Sequence, residues 1–292
     1  MGFTLANVGG RAALISDGSW FDIARISGGA LGPDPMSVVG QKDRLSDLHA
    51  ELSRHTPDGL VSATKLGAPV PRPTKVFGIG LNYLEHANES SMEVPDNPVV
   101  FTKFPSCITG PYDDVLMRSD RCDYEGELVV VIGPGGKDIS EADAWDHVLG
   151  LTAGQDISDR AVQLASKPPH FDLGKSFDSF GPIGPVVVSV DQFADRANIR
   201  LRTFVNDDVR QNDTTSNLIF GIPVLVSYLS RITTLHPGDL IFTGTPAGVG
   251  MPQKKWLSHG DTVVTEIEGI GRMVNPCVRV SDHDLPLRRK SG

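Results

Sequence analysis

Cysteine is scarce: Cys107, Cys122 and Cys277 are the only three in 292 residues. They are odd in number and show no CxxC spacing. That excludes a disulfide framework and a cysteine-built zinc site, and it reads as thiols in a reducing compartment. Long apolar runs are missing too. No stretch reaches the roughly 18 apolar residues that a membrane helix needs, so no membrane is expected. Basic residues are in the minority, 27 Lys and Arg against 36 Asp and Glu, for a net charge of −9. Nucleic acid and anionic membranes require clustered cations, so neither is an expected partner. A small anionic substrate stays possible, because one local cation outweighs a distant net charge. The start, MGFTLANVGGRAAL, lacks the basic end and apolar core of a signal peptide. Ala6 stands where a myristoylation motif wants Ser or Thr. The cytoplasm is the expected setting.

Glycine and proline, by contrast, are plentiful at 31 and 21 residues. They punctuate short β-branched runs, a pattern of strands and turns and not of a helical bundle. Residues 1–70 read as a small N-terminal α/β module. RAALISDGSWFDIARI predicts two strands around the turn pair Asp17 and Gly18. The spacing of Val38, Leu45, Leu48 and Leu52 after Asp34 and Pro35 predicts a helix. The Pro-rich GAPVPRPTK marks the boundary, with residues 71–292 as the catalytic domain. There KVFGIG, NPVVFTKF, GELVVVIG, GPVVVSV, IRLRTFVN, DLIFTG and DTVVTEIEG read as strands. Helical stretches are expected around EADAWDHVLG and NLIFGIPVLVSYLSRI. Strands with few helices between them argue for an α+β, mostly β fold and against a doubly wound parallel sheet.

Several familiar motifs fail. Gly174, Lys175 and Ser176 echo a phosphate loop, but Pro169 stands where its first glycine is needed. FGIGLNY lacks the third glycine of a dinucleotide loop, and neither GxSxG nor HExxH occurs. Cys122 beside Asp123 has only Arg121 to activate it, which makes it a poor nucleophile.

One constellation stands. In CDYEGELVVVIG, Glu125 and Glu127 fall on one face of a strand at period two. Two such carboxylates leading into a valine run resist burial unless a cation lies between them. Glu266 and Glu268 in VVTEIEGIG form the same pattern, so periodicity alone does not choose. A third carboxylate tips the choice: Asp156 ends the apolar run HVLGLTAGQ at the polar cluster QDISDR. Three carboxylates without a soft ligand specify a hard cation such as Mg²⁺ or Mn²⁺.

The ordered strings KVFGIGLNYLEHANE, FTKFPSCITGP, DYEGELVVVIG, QDISDR, LGKSFDSFGPIGP and DLIFTGTPAGVG resemble the fumarylacetoacetate hydrolase superfamily. The resemblance implies a mixed β-roll or β-sandwich fold, usually a homodimer, with Mg²⁺ or Mn²⁺ on Glu125, Glu127 and Asp156. It places Glu266 and Glu268 on a structural strand. It implies a small 2-oxo acid substrate, and C–C hydrolysis of an acylpyruvate or 2,4-dioxo acid as the reaction. Decarboxylation of oxaloacetate, or hydration or isomerisation of an unsaturated 2-oxo acid, is the alternative on the same site; a non-catalytic binding protein is a further one. His86 and Glu89, one helical turn apart, match a dyad that activates water, with His86 as base, and ANESSMEVPDNP suits a lid. Lys175 matches a lysine at the metal site. Gly244 and Thr245 match the holder of the substrate carboxylate, Arg160 and Gln163 match residues lining the site, and Lys103 supports it from behind. Ala161 and Asp159 depart from the common NDVSARD pattern, which affects the contacts of Arg160.

Overall fold

A computed structural model describes residues 2–61, 66–89 and 93–280. The β-branched runs form strands, and among the described residues twelve of them share one sheet. At its centre lies the strand Gly126–Ile132, antiparallel to Val148–Gln155 on one side and to Leu240–Phe242 on the other. Val76–Gly80 runs parallel to Leu240–Phe242, and Val99–Lys103 closes that flank. On the opposite flank Val148–Gln155 pairs with Gly181–Val188, which pairs in turn with Thr4–Val8. The N-terminal strands Arg11–Ser16 and Ser19–Asp22 therefore extend the main sheet. Asp17 and Gly18 join them with φ of 47° and 71°, the left-handed pair that a two-residue hairpin turn requires.

A second sheet of five strands carries Asp208–Thr214, Arg200–Val205, Thr262–Ile267, Gly271–Arg279 and Val115–Met117. The Gly126–Ile132 strand is buried throughout. Leu128, Val130 and Ile132 pack in a cluster with Leu225 and Leu229 of the helix Ile222–Ile232 and with Leu201 and Met273 of the second sheet. Val129 and Val131 pack on the other face with Leu5, Leu14, Leu45 and Phe242. Each such side chain contributes about 1.5–3 kcal/mol when fully buried. A strand anchored on both faces is a rigid base for whatever projects from its ends.

The α+β, mostly β architecture expected from the sequence is the one found, with two local differences. The helix expected after Pro35 breaks into a 3₁₀ turn, Pro35–Ser37, and a helix, Lys42–Ala50. Between them Val38 and Val39 are buried in a turn that ends at Gly40, where β-branching and glycine both disfavour helix. EADAWDHVLG holds one 3₁₀ turn, Ala144–His147, because Val148 onward is drawn into the central sheet. Residues 90–92, in the middle of the expected lid, lie outside the described residues.

Candidate metal centre

Strand register assembles the three acids. Gly126 pairs with Gln155, so Glu125 and Glu127 flank that rung and Asp156 follows it. The Asp156 N–H donates to the carbonyl of Glu125 at 2.8 Å, which draws the two acids together. Gly126 is required here: a Cβ at this position would lie 2.0 Å from Thr203 Oγ1 of the second sheet. One oxygen from each of Glu125, Glu127 and Asp156 lies within 4.8 Å of the others. All three residues are buried.

Buried carboxylates need partners. Lys175 Nζ donates to Glu125 Oε2 at 2.7 Å, Asp156 Oδ2 at 2.6 Å and Ser158 Oγ at 2.8 Å. Lys103 Nζ donates to Asp156 Oδ1 at 2.6 Å and to the backbone carbonyls of Phe180 and Lys175. Arg160 grips Asp123 Oδ2 through Nε and Nη2 at 2.9 and 2.8 Å, and reaches Glu125 Oε1 at 2.5 Å and Gln163 Oε1 at 2.8 Å. Glu127 differs: Oε2 accepts the Gly244 N–H at 2.7 Å, and among the described residues no ion pair reaches it.

The protonation preferences follow. Burial alone would raise Glu125, but the charges of Lys175 and Arg160 outweigh it and hold that carboxyl far below its ordinary value. Burial, then the charges of Asp156 and Glu125, push Glu127 well above 4.5. Four buried acids (Asp123, Glu125, Glu127, Asp156) thus meet three buried bases (Lys103, Arg160, Lys175). The set is one positive charge short, and the shortfall falls on Glu127. Three hard oxygen donors with that deficit fit a divalent cation of the Mg²⁺ or Mn²⁺ kind.

Above the acids lies a cavity of about 150 Å³. Ile79, Leu81, Phe101, Leu164, Phe171 and Met251 form its apolar walls. His86, from the helix Leu84–Glu89, reaches the same cavity. Among the described residues its Nδ1 is buried without a hydrogen bond and stands 3.7 Å from Glu89 Oε2, too far for a direct one. Glu89 Oε2 accepts the Gly248 N–H at 3.0 Å. Thr245, Arg160 and Gln163 also line the cavity. The Thr245 hydroxyl donates to the Gly126 carbonyl at 2.9 Å, so its hydrogen points into the protein. The Gly244 N–H is engaged with Glu127. Its φ is 101°, and a Cβ there would stand 2.8 Å from Asn82 Cβ, so the turn needs glycine.

Four further residues belong to this centre: Asp123, Gln155 and Ser158 lie within the strings DYEGELVVVIG and QDISDR, where no spacing singles them out, and Gln211 lies outside them. Asp123 is fully buried and also accepts the N–H groups of Gly250 and Met251 at 2.7 and 3.0 Å. Ser158 completes the shell of Lys175. Gln155 accepts the Glu125 N–H at 3.0 Å, and Gln211 accepts that of Gly126 at 2.9 Å. Among the described residues no helix is long and apolar enough to cross a membrane.

This fold, with a buried acid trio beneath a small apolar cavity, defines a family. The model of the fumarylacetoacetate (FAA) hydrolase C-terminal region matches residues 75–278, and the chain belongs to that family. Its members include hydrolases, isomerases and tautomerases. The chain is 47% identical over 224 residues to the fumarylacetoacetate hydrolase domain-containing protein 2 homolog of Dictyostelium discoideum, covering 72% of this chain and 73% of that one. It is 43% identical over 215 residues to oxaloacetate tautomerase FAHD2A, mitochondrial, of Bos taurus, covering 72% and 68%. Maleylpyruvate hydrolase from Sphingobium sp. SYK-6, solved with manganese(II) and pyruvate, superposes with a TM-score of 0.79 at 28% identity, over 95% of this chain and all of that one.

Proposed function

We propose that the protein is a Mg²⁺- or Mn²⁺-dependent enzyme that moves a proton next to the 2-oxo group of a small 2-oxo acid, with keto–enol tautomerisation of oxaloacetate as the first reading. The observation that carries it is the small cavity that brings His86 and Lys175 together over the three acids. A cavity of this size suits a molecule not much larger than benzene, which favours a four-carbon acid over a bulky acyl chain. The name of the bovine relative supports the same substrate.

A divalent ion on Glu125, Glu127 and Asp156 would supply positive charge where an enolate gathers its negative charge. Lys175 Nζ, whose three hydrogens are engaged by Glu125, Asp156 and Ser158, adds its positive charge near that oxygen. His86, which lines the cavity, takes the proton from the neighbouring carbon and returns it. Glu89, fixed by Gly248, stands 3.7 Å from His86 Nδ1 and orients the imidazole once that gap closes in the substrate complex. Phe101, Phe171 and Leu164 exclude water, which keeps the enolate from other reactions.

The second reading is hydrolysis of a C–C bond in a short acylpyruvate. The His86 and Glu89 pair favours it, because a base oriented by a carboxylate can activate water as well as carry a proton. In both readings the working form is a homodimer, on the pattern of the family, checked by mass in solution. The cytoplasm is the proposed setting; the bovine relative is mitochondrial by name.

Loss of the enol absorbance of oxaloacetate, followed with Mg²⁺ and then with chelator beside a panel of acylpyruvates, separates the readings. Metal-dependent decay with idle acylpyruvates supports tautomerisation; the reverse supports hydrolysis. Inactivity on all of them contradicts both. His86→Ala lowers turnover by about 100-fold or more while metal affinity stays. Unchanged turnover would refute the assignment of the base.

A further inference from the structure

The strand Asp208–Thr214 lies at the edge of the second sheet, and six of its seven residues are exposed or half-buried. Gln211 is the exception, 2% exposed. A polar side chain driven inward from an edge strand has to find partners or lose stability. Gln211 finds them at the metal centre, which lies on the other sheet.

Its Oε1 accepts the N–H of Gly126, the residue between two of the three acids, at 2.9 Å. Its Nε2 donates to Thr245 Oγ1 at 2.7 Å and to the Pro246 carbonyl at 2.8 Å. Thr245 Oγ1 then donates to the Gly126 carbonyl at 2.9 Å. The ring is closed: both polar groups of Gly126 and the Gly244 to Pro246 turn are fixed by a single amide. Only glutamine meets the demand. Glutamate has no donor for the Pro246 carbonyl when ionised, asparagine is one carbon shorter, and lysine offers no acceptor. The same turn supplies the Gly244 N–H that holds Glu127, so a shift of the turn reaches a second acid.

We propose that Gln211 is a positioning residue that keeps the Glu125 to Glu127 peptide and the Thr245 turn in register, and that it thereby sets the affinity for metal and for the 2-oxo acid while touching neither. The proposal rests on the reading of the three acids as a metal centre.

The test is calorimetric titration of Mg²⁺ into the metal-free protein, followed by oxalate at saturating Mg²⁺, for the wild type, Gln211→Met and Gln211→Glu. Loss of a group that orients metal ligands typically costs about 10- to 100-fold in metal affinity, and Gln211→Met is expected in that range. Gln211→Glu keeps an acceptor for Gly126 and loses both donations to the turn. It is expected to bind Mg²⁺ more tightly than Gln211→Met and oxalate as weakly. A merely structural role would not separate the two affinities. Wild-type affinities in a folded Gln211→Met overturn the proposal, and so does a uniform fall of both affinities that tracks the melting temperature in both variants. If Gln211→Met does not fold, wild-type oxalate affinity in Gln211→Glu overturns it. A wild type that binds no Mg²⁺ contradicts the metal reading itself, which is a separate failure.

Discussion

The chain has two Glu-x-Glu pairs at strand ends, and they differ in everything except spacing. Glu125 and Glu127 are buried between two sheets, with Gly126 between them. Lys175, Arg160 and Lys103, also buried, hold the acids around that glycine. Glu266 and Glu268 straddle Ile267, which is core, while the glutamates turn outward. Glu266 pairs with Arg202 at 2.5 Å and Arg272 at 3.6 Å, on guanidinium side chains 42% and 59% exposed. Glu268 accepts the Arg200 N–H at 3.3 Å. A surface pair shares its charge with water, and its burial cost is small. The inner pair cannot do so, and its charge has to be met by groups the fold brings to it.

The largest test of this contrast is Glu127→Gln. It removes the one acid of the trio without a basic partner, and with it a direct ligand. Metal affinity is expected to fall by about 100-fold or more, beyond the usual cost of an indirect contact, and turnover to fall with it. Glu268→Gln leaves both unchanged. Titration calorimetry on the two variants decides, and the reverse outcome would mean that the outer pair is the metal site.

A smaller effect concerns pH. The folded-state value of Glu127 is raised above 4.5, so the folded protein binds that proton more tightly than the unfolded chain does. The metal-free protein therefore loses stability from this group as pH rises from about 4.5 through the folded value. Glu125 is lowered, so its contribution is present above about 4.5 and is lost as pH falls through its folded value. Melting temperatures across pH in chelator are expected to show the Glu127 decline. Excess Mg²⁺ or Glu127→Gln removes it. A decline that survives in Glu127→Gln would place its source elsewhere.

The smallest effect belongs to the outer pair. Glu266→Gln gives up ion pairs that are largely solvated, at a cost of about 0–1 kcal/mol. Chemical denaturation checks it. A loss of several kcal/mol would show that the outer strand is more than a solvated surface.

The contrast also marks how far the sequence could be read. Strands were legible because valine and isoleucine runs bounded by glycine and proline report their own burial. The three acids could be picked out because Asp156 ends one such run, and the ordered motifs then separated Glu125 and Glu127 from Glu266 and Glu268. The basic holders Lys103, Arg160 and Lys175 were legible through the ordered motifs, but the polar groups behind them were not. Asp123 meets Arg160 across 37 positions, and Gln211 meets Gly126 across 85. No local period reports a hydrogen bond between residues so far apart in the chain. Val38 misled for a related reason: its helical spacing to Leu45 is real, but the intervening Gly40 and the packing of both valines in the core make it a turn. Thr245 lines the cavity, and the hydrogen bonds of Gly244 and Thr245 run to Glu127 and Gly126, partners that only the folded register reveals.

On the proposed reading, the inner acids hold a divalent ion on which a 2-oxo acid then binds. Oxalate resembles the enolate of such an acid, so calorimetric titration of oxalate into the protein, with Mg²⁺ and with chelator, tests it directly. Saturable binding that requires Mg²⁺ and disappears in Glu127→Gln is the expected result. Oxalate binding of equal strength in chelator, or none under either condition, would contradict it.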